Sequence, residues 1–403
     1  MKKVLILSTY PIKSPSHGGQ KRVAAICKSY QDAGLDVTFA AIFFPLHYKE
    51  YSRTDIKIPK KYLTIMSQNP FTGDVITGEI IRNDARLASK IQNLIEKVEP
   101  DIIQIEHPFL YIGLEPMIKD LKKKPKLVFS SHNTEFKMKE EMLQKEGYPK
   151  EQIALVKEKI YQAEKNLALD ADLIIVVSPG DKDDLTKLGV SSKKIHVARN
   201  GINRSTFNPK DLKYWEDYFQ KQNVNKIAVF IGSAHPPNWT GFNQLIGSRV
   251  GLLKQDQRIV LAGGISDYLK EYYSSSNPES VIFWKRVLAV GKLSEERLSA
   301  LIHRADCILL PITEGGGSNL KTAEALLADK PVVCTEYALR SFEEFSDNPN
   351  LNIAISSDDF VEKISKVLSD STQKPQEAST AKDLNLLTWA ESLRDVSKEV
   401  SKL

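Results

Sequence analysis

The sequence predicts an α/β protein made of two successive parallel-sheet domains. Three observations carry this: a length of 403 residues, short β-branched runs alternating with amphipathic stretches throughout, and a break in that alternation near the middle. One hydrophobic core seldom organises so long a chain. Composition, at 41% hydrophobic and 27% charged, is ordinary for a globular protein, so size alone predicts two domains and an interface.

Taken in order, the first strand is expected at residues 4–8, where Val4 to Leu7 form an apolar run too brief for a signal-peptide core or a membrane span. Further strands are expected at 37–42, 102–106, 127–131, 173–177 and 195–198. Between them Val23, Ile26, Cys27 and Tyr30 make one stripe at helical spacing, and Leu87, Ile91, Leu94, Ile95 and Val98 make another. The alternation breaks at Arg199-Asn200-Gly201-Ile202, and the polar stretch 203–225 carries few periodic signals. The junction is therefore placed there, giving a first domain over 1–203 and a second over 204–378. Strands resume at 227–231, 259–262, 281–284, 287–290, 307–310, 332–335 and 351–355. In the last segment, 379–403, Leu384, Leu387, Trp389, Leu393 and Val396 have helical spacing with no strand after them, so this tail packs on something already built.

Composition also excludes. Cys27, Cys307 and Cys334 lie far apart without C-x-x-C spacing or paired histidines, which argues for buried reduced thiols and against a disulfide framework or a zinc site. No apolar run approaches the roughly 20 residues of a membrane helix, and a soluble, cytoplasmic protein is expected. Residues 1–200 hold 32 Lys and Arg against 25 Asp and Glu, while 201–403 hold 24 against 26. An anionic partner would thus be met by the first half. Its basic positions Lys57, Lys60, Lys61 and Lys122 to Lys124, with Tyr62 and Phe71 nearby, suit anionic lipid headgroups, so peripheral membrane contact through this domain is an expectation beside the plainer reading of a solvated surface. No nucleic-acid partner is expected.

The most informative segment runs Pro311-Ile312-Thr313-Glu314-Gly315-Gly316-Gly317-Ser318-Asn319-Leu320-Lys321-Thr322-Ala323-Glu324. A strand ends, glycines allow close backbone approach to a ligand, and Ser318 or Asn319 can cap the helix that follows. The amides at that helix start form an anion seat. The pattern is not a P-loop, which needs glycine where Leu320 stands. Nor does any strand lead into G-x-G-x-x-G, so a dinucleotide oxidoreductase would lack its phosphate fingerprint.

This segment resembles the signature of family 4 retaining glycosyltransferases, which have the GT-B fold of two Rossmann-like domains. That signature has two glutamates flanking a glycine-rich turn, often seven residues apart; here Glu314 and Glu324 are separated by nine. Three further stretches are similar to the family: His17-Gly18-Gly19-Gln20-Lys21-Arg22 after the first strand, Ser131-His132-Asn133-Thr134-Glu135, and the exit from the first domain through residues 171–178, 197–202 and 207–209. The resemblance covers essentially the whole chain.

What it implies is a transferase acting from a nucleotide-sugar donor on an acceptor hydroxyl of a carbohydrate, lipid-linked or protein acceptor, with retention. No cofactor beyond that co-substrate, and no metal, is implied. The active site would lie in the cleft between the domains, with a final helix crossing back to the first. Glu314 would contact donor-sugar hydroxyls, Glu324 the ribose, and His132 the donor sugar. Gly18 and Gly19, together with Gly232 and the Gly315–Gly316–Gly317–Ser318–Asn319–Leu320 turn, would approach the diphosphate. One departure is plain: the family's Arg and Lys clamp after the first strand of the second domain is missing from Gly232-Ser233-Ala234-His235-Pro236-Pro237-Asn238-Trp239. Lys321, Arg199 or Arg22 would have to supply that charge, and Lys321 is favoured because its neighbours form the anion seat. The competing readings are a non-catalytic donor-binding or scaffold subunit and, less favoured, a hydrolase or epimerase acting on nucleotide sugars.

Overall fold

The computed structural model describes residues 1–46, 48–68, 71–204, 206–274, 279–314, 319–370 and 383–403. These fall into two compact units, one comprising Met1–Asn200 with Trp389–Leu403 and the other Gly201–Thr388.

The first unit is built on β1 (Lys3–Ser8), β2 (Asp36–Phe43), β3 (Ile56–Lys57), β4 (Ile102–Glu106), β5 (Lys126–Ser130), β6 (Leu173–Val176) and β7 (Ile195–Val197). All pair in parallel, in the order β3-β2-β1-β4-β5-β6-β7. Val4 to Leu7 are fully buried, as a strand covered on both faces requires. Leu87, Ile91 and Ile95 of helix Ala85–Val98 are buried; the Asp84 carboxylate accepts from the Arg86 and Leu87 amides to start that helix, and left-handed Glu99 ends it. The last helix, Trp389–Lys402, returns to this unit. It buries Leu393, Val396 and Val400, Ser397 shares a 2.6 Å hydrogen bond with Ser29, and the backbone carbonyl of Ser401 accepts from Lys2.

The second unit repeats the plan with β8 (Lys226–Ile231), β9 (Gln257–Ala262), β10 (Val287–Gly291), β11 (Cys307–Leu310), β12 (Val332–Thr335) and β13 (Leu351–Ala354), again all parallel, in the order β10-β9-β8-β11-β12-β13. Both sheets therefore reverse strand order once, between β1 and β4 and between β8 and β11. Crevices at the carboxyl ends of such strands are where open α/β sheets bind ligands.

Three local expectations are corrected. Residues 281–284 are not a strand but lie in helix Glu279–Arg286. Phe283 stacks on Tyr273 at 3.8 Å while Val281 and Ile282 face outward, so β-branching misled where only one position per turn is buried. The polar stretch after the junction contains helix Pro209–Gln220, whose aromatic stripe of Trp215 and Phe219 is buried. The short edge strand β3 went unread because two residues offer no period. The three cysteines are free and buried, and among the described residues no helix is long and apolar enough to cross a membrane.

Candidate active site

In the second unit the strand-order reversal lies between the segments following β8 and β11. After β8, Gly232 packs against the turn that follows β9. A Cβ on Gly263, which has φ +94°, would lie 2.4 Å from the Gly232 carbonyl oxygen, so only glycine fits there. The chain then enters helix Pro236–Leu245. Its buried Asn238 donates Nδ2 to the Ser233 carbonyl at 3.0 Å and to its hydroxyl at 3.1 Å. After β11, Pro311 lies so close to Gly241 of that helix that a Cβ would meet its carbonyl oxygen at 2.0 Å. The two segments are thus locked face to face.

Gly315, Gly316, Gly317 and Ser318 lie outside the described residues. Asn319 stands in the N-cap position of helix Leu320–Leu327 but makes no capping hydrogen bond with its side chain, and its buried Nδ2 has no partner. The first-turn amides of Leu320 and Lys321 have no intrahelical acceptor. Lys321 reaches across to the β8 segment, donating Nζ to Asn238 Oδ1 at 3.0 Å. Lys321 and Glu324 line one small cavity with Ile231 and Leu310. Burial holds the Lys321 ammonium below the usual lysine range, with Glu324 opposing. Half-buried Glu314 acts electrostatically on His235, whose pKa is lowered by burial and by Lys321 and raised in part by Glu314.

The structure therefore gathers Lys321, Glu324, Glu314 and Gly232 around one strand-end crevice. It adds two residues that sequence reasoning passed over, His235 and Asn238. The one sign in the sequence was a polar Asn shortly after a strand-terminal glycine; its contact with Lys321 is seen only in the fold.

The first unit holds a different arrangement. His17 caps helix Gly18–Asp32, accepting from the Gln20 amide, while the Gln20 side-chain oxygen accepts from the Ser16 and His17 amides. Gly18 opens the helix, and Gly19 leaves room for Tyr10, since a Cβ there would sit 2.5 Å from the phenol oxygen. Arg22 is fully buried. Its Nη1 donates to the Ala198 carbonyl at 2.8 Å and to Asn200 Oδ1 at 3.1 Å, which ties the end of β7 to the helix, while its buried Nε and Nη2 have no hydrogen-bond partner.

Two imidazoles face each other at the ends of β4 and β5, His107 and His132, with ring centroids 4.0 Å apart. Each has its own carboxylate. His132 Nε2 lies 2.7 Å from Glu106 Oε2, and His107 Nδ1 lies 3.0 Å from Glu135 Oε1. Glu106 is held further by Gln104, which Tyr30 steadies in turn. The other nitrogen of His107 meets the Tyr10 hydroxyl at 3.1 Å. His107 has φ 66° and ψ 151°, a region that costs a non-glycine residue about 1–3 kcal/mol.

Burial and the neighbouring His107 bring His132 down to about 4, against the pull of Glu106. For His107 burial also opposes charge, yet the bond to Glu135 and the nearby carboxylates outweigh it and hold the ring above the usual range. Two unit charges 4 Å apart repel by about 4 kcal/mol at an effective dielectric of 20, so a second proton on the pair is strongly opposed. Sequence reasoning found His132 and missed His107, Glu106 and Tyr10. Gln104 and Glu106 alternate within a fully buried strand, and polar residues so placed are costly unless networked; that was the readable sign.

The Glycosyltransferase Family 4 model matches residues 16–206, and the Glycosyl transferases group 1 model matches residues 225–370. No curated protein matches the sequence. Among solved structures, HepE from Anabaena in complex with UDP superposes with a TM-score of 0.67 at 18% identity over 100% of both chains. Sucrose-phosphate synthase from Thermosynechococcus elongatus gives 0.65 at 13%, over 100% of this chain and 98% of that one. UDP-GlcNAc 2-epimerase from Methanocaldococcus jannaschii gives 0.54 at 11% over 100% of both. The fold is therefore GT-B, which transferases and an epimerase share, and it is the family match that separates them. Each unit is matched by one of the two glycosyltransferase models, and the chain belongs to the glycosyltransferases of family 4 and group 1.

Proposed function

We propose that this glycosyltransferase uses a uridine diphosphate sugar and transfers the sugar to an acceptor hydroxyl with retention and without a metal. The observation that carries this reading is the placement of Lys321. Its ammonium sits with Glu324 in the crevice after β8 and β11, on the side where the family's usual Arg and Lys are lacking. The uridine nucleotide is supported by HepE, of the same fold, which was crystallised with UDP and with UDP-glucose.

In this reading Glu324 accepts hydrogen bonds from the ribose diol and Glu314 from donor-sugar hydroxyls. Lys321 and the Asn319 and Leu320 amides face the diphosphate, joined by Gly232 and the Gly315 to Ser318 turn. Bond breaking places charge on the leaving diphosphate. A fixed ammonium and fixed amides stabilise that charge more in the transition state than before it, which is the source of rate. The leaving phosphate takes the acceptor proton, so no protein nucleophile is needed. In the first unit His132 faces sugar hydroxyls and Gly18 and Gly19 border the substrate. The acceptor is a carbohydrate, a lipid-linked sugar or a protein, and a cytoplasmic location with peripheral membrane contact through the basic first unit fits a lipid-linked one.

The test is product analysis of the full chain with UDP-glucose, with and without a panel of sugar and lipid-linked acceptors, in chelator. The expected result is UDP release that depends on acceptor, an α-linked product, and no loss in chelator. Conversion of UDP-glucose without any acceptor, a β-linked product, or activity lost in chelator and restored by magnesium would each refute a stated part.

A further inference from the structure

The imidazole pair of the first unit has two carboxylates and room for one proton, and the surroundings decide which ring takes it. Distance alone favours His132, whose 2.7 Å contact with Glu106 is the shorter. The partners of those carboxylates reverse this. Both oxygens of Glu106 are engaged, one by His132 and the other by Gln104 Nε2 at 2.5 Å, so its charge is already shared. Glu135 keeps Oε2 without a hydrogen-bond partner, buried, and its Oε1 meets His107 at 3.0 Å with only a longer, 3.4 Å contact from the neutral Asn133 Nδ2 beside it.

The other charged groups point the same way. On the His132 side stand Glu106 and the buried guanidinium of Arg22, which disfavours a second cation. His107 meets Glu135, with Asp74 and Glu106 adding to the attraction; His17 is held below its ordinary range by burial and by His107. Behind Glu135 lie Lys139, which favours its ionised form, and Glu164, which accepts from the Glu135 and Phe136 amides.

We propose that His107 is a positioning residue: it carries the proton of the pair as an imidazolium between Glu135 and Tyr10, and thereby keeps His132 neutral, with Nδ1 as a hydrogen-bond acceptor for a sugar hydroxyl. The tautomer follows. Neutral His132 donates Nε2–H to Glu106, so its lone pair is on Nδ1, which has no partner among the described residues. A charged His132 would present N–H there and could only donate, repelling the hydroxyl hydrogen that the neutral ring accepts. Imidazolium His107 donates from both nitrogens, leaving the Tyr10 hydroxyl hydrogen free to point away from it.

This deepens the reading of His132 given above and rests on it only for the ligand; the placement of the proton is separate. The experiment is a histidine 15N NMR titration of the full chain without substrate, between about pH 5 and 8. The expected spectrum shows His107 taking up the first proton as pH falls, while His132 stays the neutral Nε2–H tautomer across that range. In His107→Gln the His132 ring should take up a proton, its titration rising by about one pH unit or more. Glu135→Gln, which keeps the shape around His107, should move His132 in the same direction and serves if the first variant fails to fold. The acid limb of the kcat profile with UDP-glucose should rise by the same amount as the His132 titration. A charged His132 in the unmodified chain, an unmoved His132 in both folded variants, or a moved titration with an unmoved kcat profile would overturn the proposal. Failure of the transferase reading would show instead as no acceptor-dependent UDP release by a chain whose two rings titrate as stated.

Discussion

Replacing Lys321 with methionine keeps the unbranched stem of the side chain to within one atom and deletes its charge. The native ammonium makes one described hydrogen bond, 3.0 Å to Asn238 Oδ1, and shares a cavity with Glu324. If it also faces the leaving diphosphate, the loss falls on the transition state, where removing one donor to a developing anion costs up to about 3–4 kcal/mol. Steady-state kinetics should then show kcat and kcat/KM falling together by roughly 10- to 1000-fold. Stability should change little. The Asn238 acceptor loses a partner, worth about 1–3 kcal/mol, but the fold no longer has to desolvate an ammonium, and the two effects oppose. A melting temperature within a few degrees of the parent is expected. Parallel measurements on Arg199→Met supply the control. Near-normal rates for Lys321→Met together with collapse of Arg199→Met would refute the assignment, because the charge at the diphosphate would then come from the end of the first unit.

Three other outcomes are expected. Glu324→Ala should weaken UDP binding by about 1–3 kcal/mol in calorimetry while the fold persists; unchanged affinity would put the ribose elsewhere. His132 has a folded pKa near 4 against an ordinary 6.5, so between those values the unfolded chain binds more protons and stability is lost as pH falls from about 6.5 towards 4. Thermal melts should show that slope, shallower in His132→Gln, and an equal slope in both proteins would contradict the pairing. Gly19→Ala forces a methyl to 2.5 Å from the Tyr10 oxygen, which should cost about 1–3 kcal/mol in urea unfolding. Tyr10→Phe combined with it should recover much of that loss, and full additivity of the two changes would show that the contact is not the cause.

The fold was legible wherever burial was two-sided. Residues 4–7, 102–106 and 307–310 are short β-branched or apolar runs of strand length bounded by polar residues or proline, and they lie in β1, β4 and β11. Residues 281–284 failed because a β-branched run reads alike in a strand and in a helix that buries one residue per turn. At the site, Lys321 and Glu324 were visible because they follow a glycine turn at helical spacing. His107 and His235 sit at strand-to-helix turns where spacing carries no information, and Asn238 lies in the first turn of a helix; their roles emerge only when two strand ends are brought together. Arg22 was noticed for its place beside a glycine loop, and only the fold shows that Nη1 braces the end of β7 while Nε and Nη2 are buried without hydrogen-bond partners.

The return of helix Trp389–Lys402 to the first unit has a consequence for how the chain matures. The second unit, Gly201–Thr388, is continuous in sequence and can complete its core as it emerges. The first unit cannot, because Ser397, the partner of Ser29, and the apolar residues Leu393, Val396 and Val400 arrive only after the whole of Gly201–Thr388. Until then the helix Gly18–Asp32 keeps an apolar face open to water, and closing so long a loop carries an entropic cost. The unit made first is thus finished last, and the interval in between is when this chain is most open to aggregation.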